Sequence, residues 1–218
     1  LIVACLLGFA APASAQILLY AQRLPAGTVY MRLVNALPGA ASIQTEFAGT
    51  VELGTEGAAR VSPYFVSTTL GDKLVTLDVT EGGKSAKPSF TPKSGAFLTI
   101  VLHRAGDGVT AAIITDKPEY NQLRARLAFY NATADCPAGT LAEASGPDIF
   151  KGIAPDAAAA RGINPVAAKV VAGCAAGKAP VLDLGDLQAG GLYTVWMMRP
   201  EGTLMSFVAH DMIAPPRS

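Results

Sequence analysis

The feature that most constrains this chain is a short segment that occurs twice. Val29-Tyr-Met-Arg-Leu-Val-Asn-Ala36 is echoed by Leu127-Ala-Phe-Tyr-Asn-Ala132, so Met31 matches Leu127, Leu33 matches Phe129 and Asn35 matches Asn131. In each copy large apolar residues alternate with other side chains, the period of two that marks a strand with one face on a core. Each copy then breaks at Asn-Ala, where β-propensity falls and the chain can turn. The strand after Gly95 (Ala-Phe-Leu-Thr-Ile-Val-Leu-His103) likewise resembles the strand after Gly191 (Leu-Tyr-Thr-Val-Trp-Met-Met-Arg199). The members of both pairs, Asn35/Asn131 and Gly95/Gly191, lie 96 residues apart. Two landmarks with one offset point to a tandem duplication.

A chain of 218 residues accommodates two such units of roughly 100 residues each. Gly and Pro number 22 and 15, which suits many short strands joined by turns. The expected fold is all-β: two tandem small antiparallel β-sandwich (Ig-like) domains behind a cleaved signal peptide. Leu1 to Ala15 is an apolar run interrupted by Pro12 and ending in the small-residue site Ala13-Ser14-Ala15, the pattern of a secretory signal cleaved before Gln16. The run is too short to span a bilayer. Ile2-Val3-Ala4-Cys5 also matches a lipoprotein processing box, but an apolar stretch and a clean cleavage site follow it. The expected layout is therefore 1–15 signal, 16–118 first domain and 119–218 second domain, with periplasmic export. In the lead-in, Ile17-Leu-Leu-Tyr20 is apolar enough to meet a sheet edge or a partner.

Strand candidates in the first repeat are Ser42 to Thr50, Ala58 to Val66, Leu74 to Thr80, and a hairpin of Ala96 to His103 with Val109 to Thr115. Asp116-Lys-Pro-Glu-Tyr-Asn121 reads as the joint between domains. In the second repeat a hairpin joins Leu192–Arg199 to Thr203–Ala209. Arg161-Gly-Ile-Asn-Pro165 is matched to Arg60-Val-Ser-Pro63, which places an insertion around Ser145 to Ala160. Asp156-Ala-Ala-Ala-Ala-Arg161 is either one helical turn or a small-residue strand. The tail from Ile213 to Ser218 is expected to fray.

Lys+Arg and Asp+Glu are both 17, so the balance of charge offers nothing to nucleic acid or an anionic membrane. Beyond the signal two cysteines remain, Cys136 and Cys174, and an exported chain meets an oxidising compartment; a disulfide between them is expected. His103 and His210 sit at the ends of the two C-terminal hairpins without an activated serine, since there is no Gly-x-Ser-x-Gly elbow and Gly71-Asp72-Lys73 lacks a serine. No catalytic residue, cofactor or metal is therefore assigned. Asp183 and Asp186 could share a hard cation, yet read first as polar positions beside a turn. Asn131-Ala-Thr133 matches a glycosylation acceptor, and Gly82-Gly83-Lys84 lacks the strand-to-helix frame of a phosphate loop. Trp196 with Met198 is a candidate partner or glycan surface, if their face of the strand is exposed; the other reading puts Trp196 in a domain or interdomain core.

Leu19-Tyr20, Pro25-Ala-Gly-Thr-Val-Tyr-Met-Arg-Leu-Val-Asn-Ala36 and Arg161-Gly-Ile-Asn-Pro-Val166 together resemble the AlgF family, the periplasmic accessory proteins of alginate O-acetylation. The resemblance runs over essentially the whole mature chain, although the Cys136/Cys174 pair is not a family feature. It implies a non-catalytic adaptor for acetylation of an exopolysaccharide, alginate or bacterial cellulose, linking a membrane-bound acyltransferase with periplasmic acetyltransferases. Two other classes remain: a secreted polysaccharide-binding module, and an acetyltransferase with an unrecognised serine.

Overall fold

The computed structural model describes residues 25–215. The expected signal segment, the lead-in up to residue 24 and residues 216–218 lie outside it. The first lobe holds β1 (Val29–Asn35), β2 (Ala41–Thr45), β3 (Gly49–Leu53), β4 (Phe65–Ser67), β5 (Val75–Thr76), β6 (Asp78–Glu81), β7 (Lys84–Ala86), β8 (Ser89–Phe90), β9 (Phe97–Ala105) and β10 (Gly108–Asp116). The second holds β11 (Ala125–Ala132), β12 (Gly139–Glu143), β13 (Asp148–Ile153), β14 (Ala157–Ile163), β15 (Ala167–Cys174), β16 (Gly177–Lys178), β17 (Leu182–Asp186), β18 (Leu192–Met198) and β19 (Met205–His210). No α-helix occurs among the described residues; a 3₁₀ turn spans Gly57–Arg60. The protein is all-β.

Each lobe is built on two main sheets over one core, and these correspond strand for strand, with a short extra ladder β5-β8 in the first lobe. In the first lobe the order β10-β9-β1-β4 faces β3-β2-β6-β7; in the second, β14-β11-β18-β19 faces β13-β12-β15-β16, with β17 beside β15. In both, the duplicated strand runs parallel to the first strand of the last hairpin: β1 beside β9, β11 beside β18. Met31, Leu33, Ile43, Leu77 and Ile100 fill the first core, and Leu127, Phe129, Leu141, Val170 and Val195 the second. A third cluster lies between the lobes. There Val34, Val101 and Ile114 meet Tyr130, Trp196, Met198 and Phe207.

Asn35 and Asn131 explain why the repeat signature ends where it does. Each is fully buried. The Asn35 side-chain oxygen accepts the Leu37 N–H at 3.0 Å, and its amide donates to the Gly39 and Gly54 carbonyls, both at 2.9 Å. Asn131 repeats the set, accepting from the Thr133 N–H and donating to the Cys136 and Ile153 carbonyls. Each therefore satisfies backbone groups that would otherwise be buried without partners where the chain leaves one sheet for the other.

The ladder registers correct the sequence alignment in two places. Tyr30 lies opposite Phe97, whereas its counterpart Arg126 lies opposite Leu192, so the last hairpins correspond with an offset of 95 rather than 96. The true counterpart of Gly95 is Gly190, and both take left-handed φ values, 82° and 76°. Likewise Met31 pairs with Phe65 and Leu127 with Arg161, so Arg161 corresponds to Phe65, not Arg60.

Two strand boundaries also differ, and one open alternative is decided. Ser42 to Thr50 is not one strand but a hairpin, turned at residues 46–48, where the Thr45 hydroxyl accepts the Ala48 N–H. Ala58 to Val66 divides into the 3₁₀ turn and the short β4, with Pro63 between them. Asp156 to Arg161 resolves as strand: Asp156 takes a left-handed φ of 51° and the alanines pair along β11. The tail is not frayed over 213–215. Ile213 bridges Tyr64 in parallel, the Tyr64 N–H donating to the Met212 carbonyl and the Ala214 N–H to the Tyr64 carbonyl, both at 2.8 Å.

Candidate functional site: the charged seam between the lobes

The third apolar cluster surrounds a buried polar network. It is built on β1. Because alternate side chains leave a strand on opposite faces, Met31 and Leu33 enter the first core while Arg32 and Val34 point the other way, into the seam. Arg32 is 1% exposed. Its guanidinium lies over three rings, 4.6 Å from the centre of Tyr64, 5.0 Å from Tyr130 and 5.1 Å from Trp196. The last two rings, from the second lobe, stack at 4.3 Å. A desolvated cation among aromatic faces is held by their quadrupoles.

Two carboxylates complete the network, and they are copies of one another. Thr99 Oγ1 donates to Asp116 at 2.6 Å, and Thr194 Oγ1 donates to Asp211 at 2.6 Å. Both pairs are 17 residues apart, on the final hairpin of each lobe. Arg32 ties them together: Nε donates to Thr99 Oγ1 at 2.8 Å and Nη1 to Asp211 at 2.5 Å. Asp116 also accepts the Tyr64 hydroxyl at 2.8 Å and the Tyr130 hydroxyl. Arg126 approaches the second Asp211 oxygen at 3.7 Å and donates to the Lys117 carbonyl at 3.1 Å. Arg32 contributes a charge to which the second copy has no counterpart, since Ala128 stands at that place.

Burial pushes the Tyr64 phenol well above its ordinary value; Tyr130, Asp116 and Asp211 add to this and Arg32 opposes it. Tyr130 is raised in the same way, chiefly by burial and then by Asp116, against the pull of Arg32. Both hydroxyls therefore stay protonated and donate. Burial alone would lower Arg32, but Tyr130, Asp211, Tyr64 and Asp116 outweigh it and hold the guanidinium above its usual range. The network suits holding two lobes in one register.

Trp196 and Met198 are fully buried in this seam. The candidate partner or glycan surface on them is therefore corrected: their face of β18 meets the first lobe rather than solvent. Cys136 and Cys174 are bonded, linking the loop after β11 to the end of β15. His103 lies across the seam from Asp156, Nε2 to Oδ1 at 2.6 Å. His210 is exposed and stands edge-on to Tyr193. Among the described residues no serine hydroxyl hydrogen-bonds to either imidazole, and no group of three or more His, Cys, Asp or Glu residues is placed to hold a metal ion. Asp183 accepts the Gly185 N–H within its own turn.

Sequence reasoning missed Arg32, Thr99, Asp116, Thr194 and Asp211. The signal was available: a threonine inside an apolar strand, 17 residues before an aspartate that ends the hairpin, occurring twice with an offset of 95. Two cavities open beside the network. One, of about 340 Å³, lies between Thr115–Lys117 and Ala158–Ala160. The other, of about 290 Å³, is lined by Tyr64, Phe97, Tyr120, Leu192 and Ile213. Arg126 borders both.

These features define a two-lobed all-β sandwich protein whose lobes share a buried ionic seam. No protein-family model matches the chain, and no curated protein matches it in sequence. Among solved structures it is similar to a candidate cell adhesion protein from Bacteroides ovatus, at 7% identity and a TM-score of 0.30, covering 89% of this chain and 100% of that one. That likeness is too distant to assign a family.

Proposed function

We propose that this chain is a non-catalytic periplasmic adaptor in the O-acetylation of an exopolysaccharide, holding a membrane-bound acyltransferase and a periplasmic acetyltransferase in working relation. The observation that carries the reading is the seam. Arg32, Thr99 and Asp116 from one lobe and Thr194 and Asp211 from the other are bonded to each other, so the network fixes the two lobes at a set spacing. A rigid two-lobed body presents two surfaces in a constant orientation, which is what a bridging component supplies and a single sandwich does not. The His103–Asp156 pair adds a second tie between lobes. The resemblance of Pro25 to Ala36 and Arg161 to Val166 to AlgF supplies the pathway.

The test is reconstitution. Purified chain, immobilised, should retain a periplasmic O-acetyltransferase of the same gene neighbourhood, and should release no acetate from an activated ester by itself. Acetyl turnover by the purified chain, with one serine trapped by the ester, would replace this reading with an enzymatic one.

A further inference from the structure

Of the two cavities beside the seam, the one of about 290 Å³ has apolar walls and a charged floor. Tyr64, Phe97 and Leu192 line it, and so do Tyr120, Met212 and Ile213, three large apolar side chains left 59–66% exposed. Exposed apolar groups gathered round one concavity, with a few polar groups converging on it, are the signature of a ligand site. The aromatic wall is preset. Phe97 stacks on Tyr30 with ring centres 4.0 Å apart and meets Tyr64 edge-on at 5.8 Å, so an incoming group has little left to order.

The polar groups say what kind of head the ligand carries. Three buried side-chain nitrogens of the seam have no hydrogen-bond partner: Arg32 Nη2, Arg126 Nε and Trp196 Nε1. All three are donors, and Arg126 lines the cavity. Its Nη2 donates to the Lys117 carbonyl, while its Nη1 stops 3.7 Å short of Asp211, too far for a hydrogen bond. The carboxylates, by contrast, are already served. Asp116 accepts three hydroxyls, and one oxygen of Asp211 accepts both Arg32 and Thr194. The spare capacity is therefore a donor in want of an acceptor. Charge is balanced: Arg32 and Arg126 offset Asp116 and Asp211, and exposed Lys117 offsets exposed Glu119 at the mouth. A net charge entering this apolar space would be desolvated without a counter-ion of its own.

We infer that this cavity binds a small uncharged carbonyl compound, an amide or ester, whose apolar body lies against Phe97, Tyr64 and Leu192 and whose carbonyl oxygen accepts from Arg126. The volume is at the lower end for ligand sites and suits a single ring or a short chain. Such binding is separate from the adaptor role, and transferase retention bears on neither its success nor its failure.

The probes are phenylacetamide, phenylacetate and 2-phenylethylammonium, which hold one ring constant while the head passes from neutral carbonyl to anion to cation. Each is titrated onto the full chain while backbone amide and arginine Nε–H signals are followed by nuclear magnetic resonance. Phenylacetamide should bind in the millimolar range, shifting Phe97, Tyr120, Leu192 and the Arg126 Nε–H. Phenylacetate should bind more weakly, and the ammonium compound should leave the spectrum unchanged. Arg126→Met keeps the apolar stem, removes the donor and should weaken phenylacetamide about tenfold. Tyr120→Ala, at an exposed position, should weaken it severalfold and carries the test if Arg126→Met does not fold. Leu74→Ala, at an exposed apolar position that does not line the cavity, should bind as the wild type does. Either charged probe binding as tightly as the amide overturns the inference. So do shifts confined to Ala158–Ala160 beside the other cavity, and wild-type affinity in the folded Arg126→Met or Tyr120→Ala chain.

Discussion

Replacing Arg32 with methionine separates the role of its charge from that of its stem. Methionine keeps most of the length and apolar packing between Tyr64, Tyr130 and Trp196, so little cavity is left. What disappears is the cation that donates to Asp211 and Thr99. Asp211 keeps only the Thr194 hydroxyl at 2.6 Å and Arg126 at 3.7 Å. Removing one partner of a buried ion pair costs roughly 3–5 kcal/mol, because the remaining charge is left in low dielectric. The loss of cation–π contact, worth up to about 2 kcal/mol when desolvated, is part of the same cost and is not added to it. The chain carries its own reporter, since Trp196 is the only tryptophan and is fully buried in the seam. In urea, tryptophan fluorescence should report the seam and far-UV circular dichroism the sheets. Wild-type transitions should coincide. In Arg32→Met the fluorescence midpoint should move to lower urea than the dichroism midpoint, as the lobes part before they unfold. Arg32→Met/Asp211→Asn should recover about 1 kcal/mol or more, since the stranded carboxylate has been neutralised. A cost below about 1 kcal/mol with coincident transitions would refute the claim that Arg32 holds the seam.

Asn35→Ala and Asn131→Ala each strip three bonds from buried backbone groups and should each cost about 3 kcal/mol, read from chemical denaturation. Cys136→Ser/Cys174→Ser removes a crosslink across 38 residues; chain entropy puts the loss at about 4 kcal/mol, falling on the second lobe and matched by reduction of the native chain with dithiothreitol. Tyr64 and Tyr130 have raised folded values, so they retain protons that the unfolded chain releases. Their stabilising contribution is complete below the unfolded value of about 10 and is lost as pH climbs above it, by up to about 2.7 kcal/mol per pH unit for the two together. Absorbance at 295 nm should show Tyr64 and Tyr130 ionising only with unfolding, and Tyr64→Phe should lower that late change by the amplitude of one tyrosine.

The all-β character and the duplicated strand were legible because period-2 alternation is a local property of the chain. The Asn-Ala break was legible too, and the structure supplies its cause in the three bonds of Asn35 and Asn131. What escaped was the seam. β1, β11 and β18 each lie between two apolar layers, so alternation no longer separates an inner face from a wet one. Trp196 consequently read as either core or surface. Arg32 stood only among the other side chains that alternate with the apolar positions, because nothing local announces that a second lobe will enclose it. The hairpin within Ser42–Thr50 was hidden because Phe47 interrupts its turn with a core residue. The one-residue error in matching Gly95 to Gly191 arose from a glycine pair in which only Gly190 has the left-handed backbone.

The parallel bridge between Tyr64 and Ile213 carries a consequence for the timing of synthesis. The first lobe's sheet is completed at Tyr64 by Ile213, about 150 positions further along the chain, so this contact waits for the second lobe to be made. A nascent chain therefore holds that sheet margin open until the second lobe has been made, and loss of residues 212–214 is felt in the half of the molecule made first.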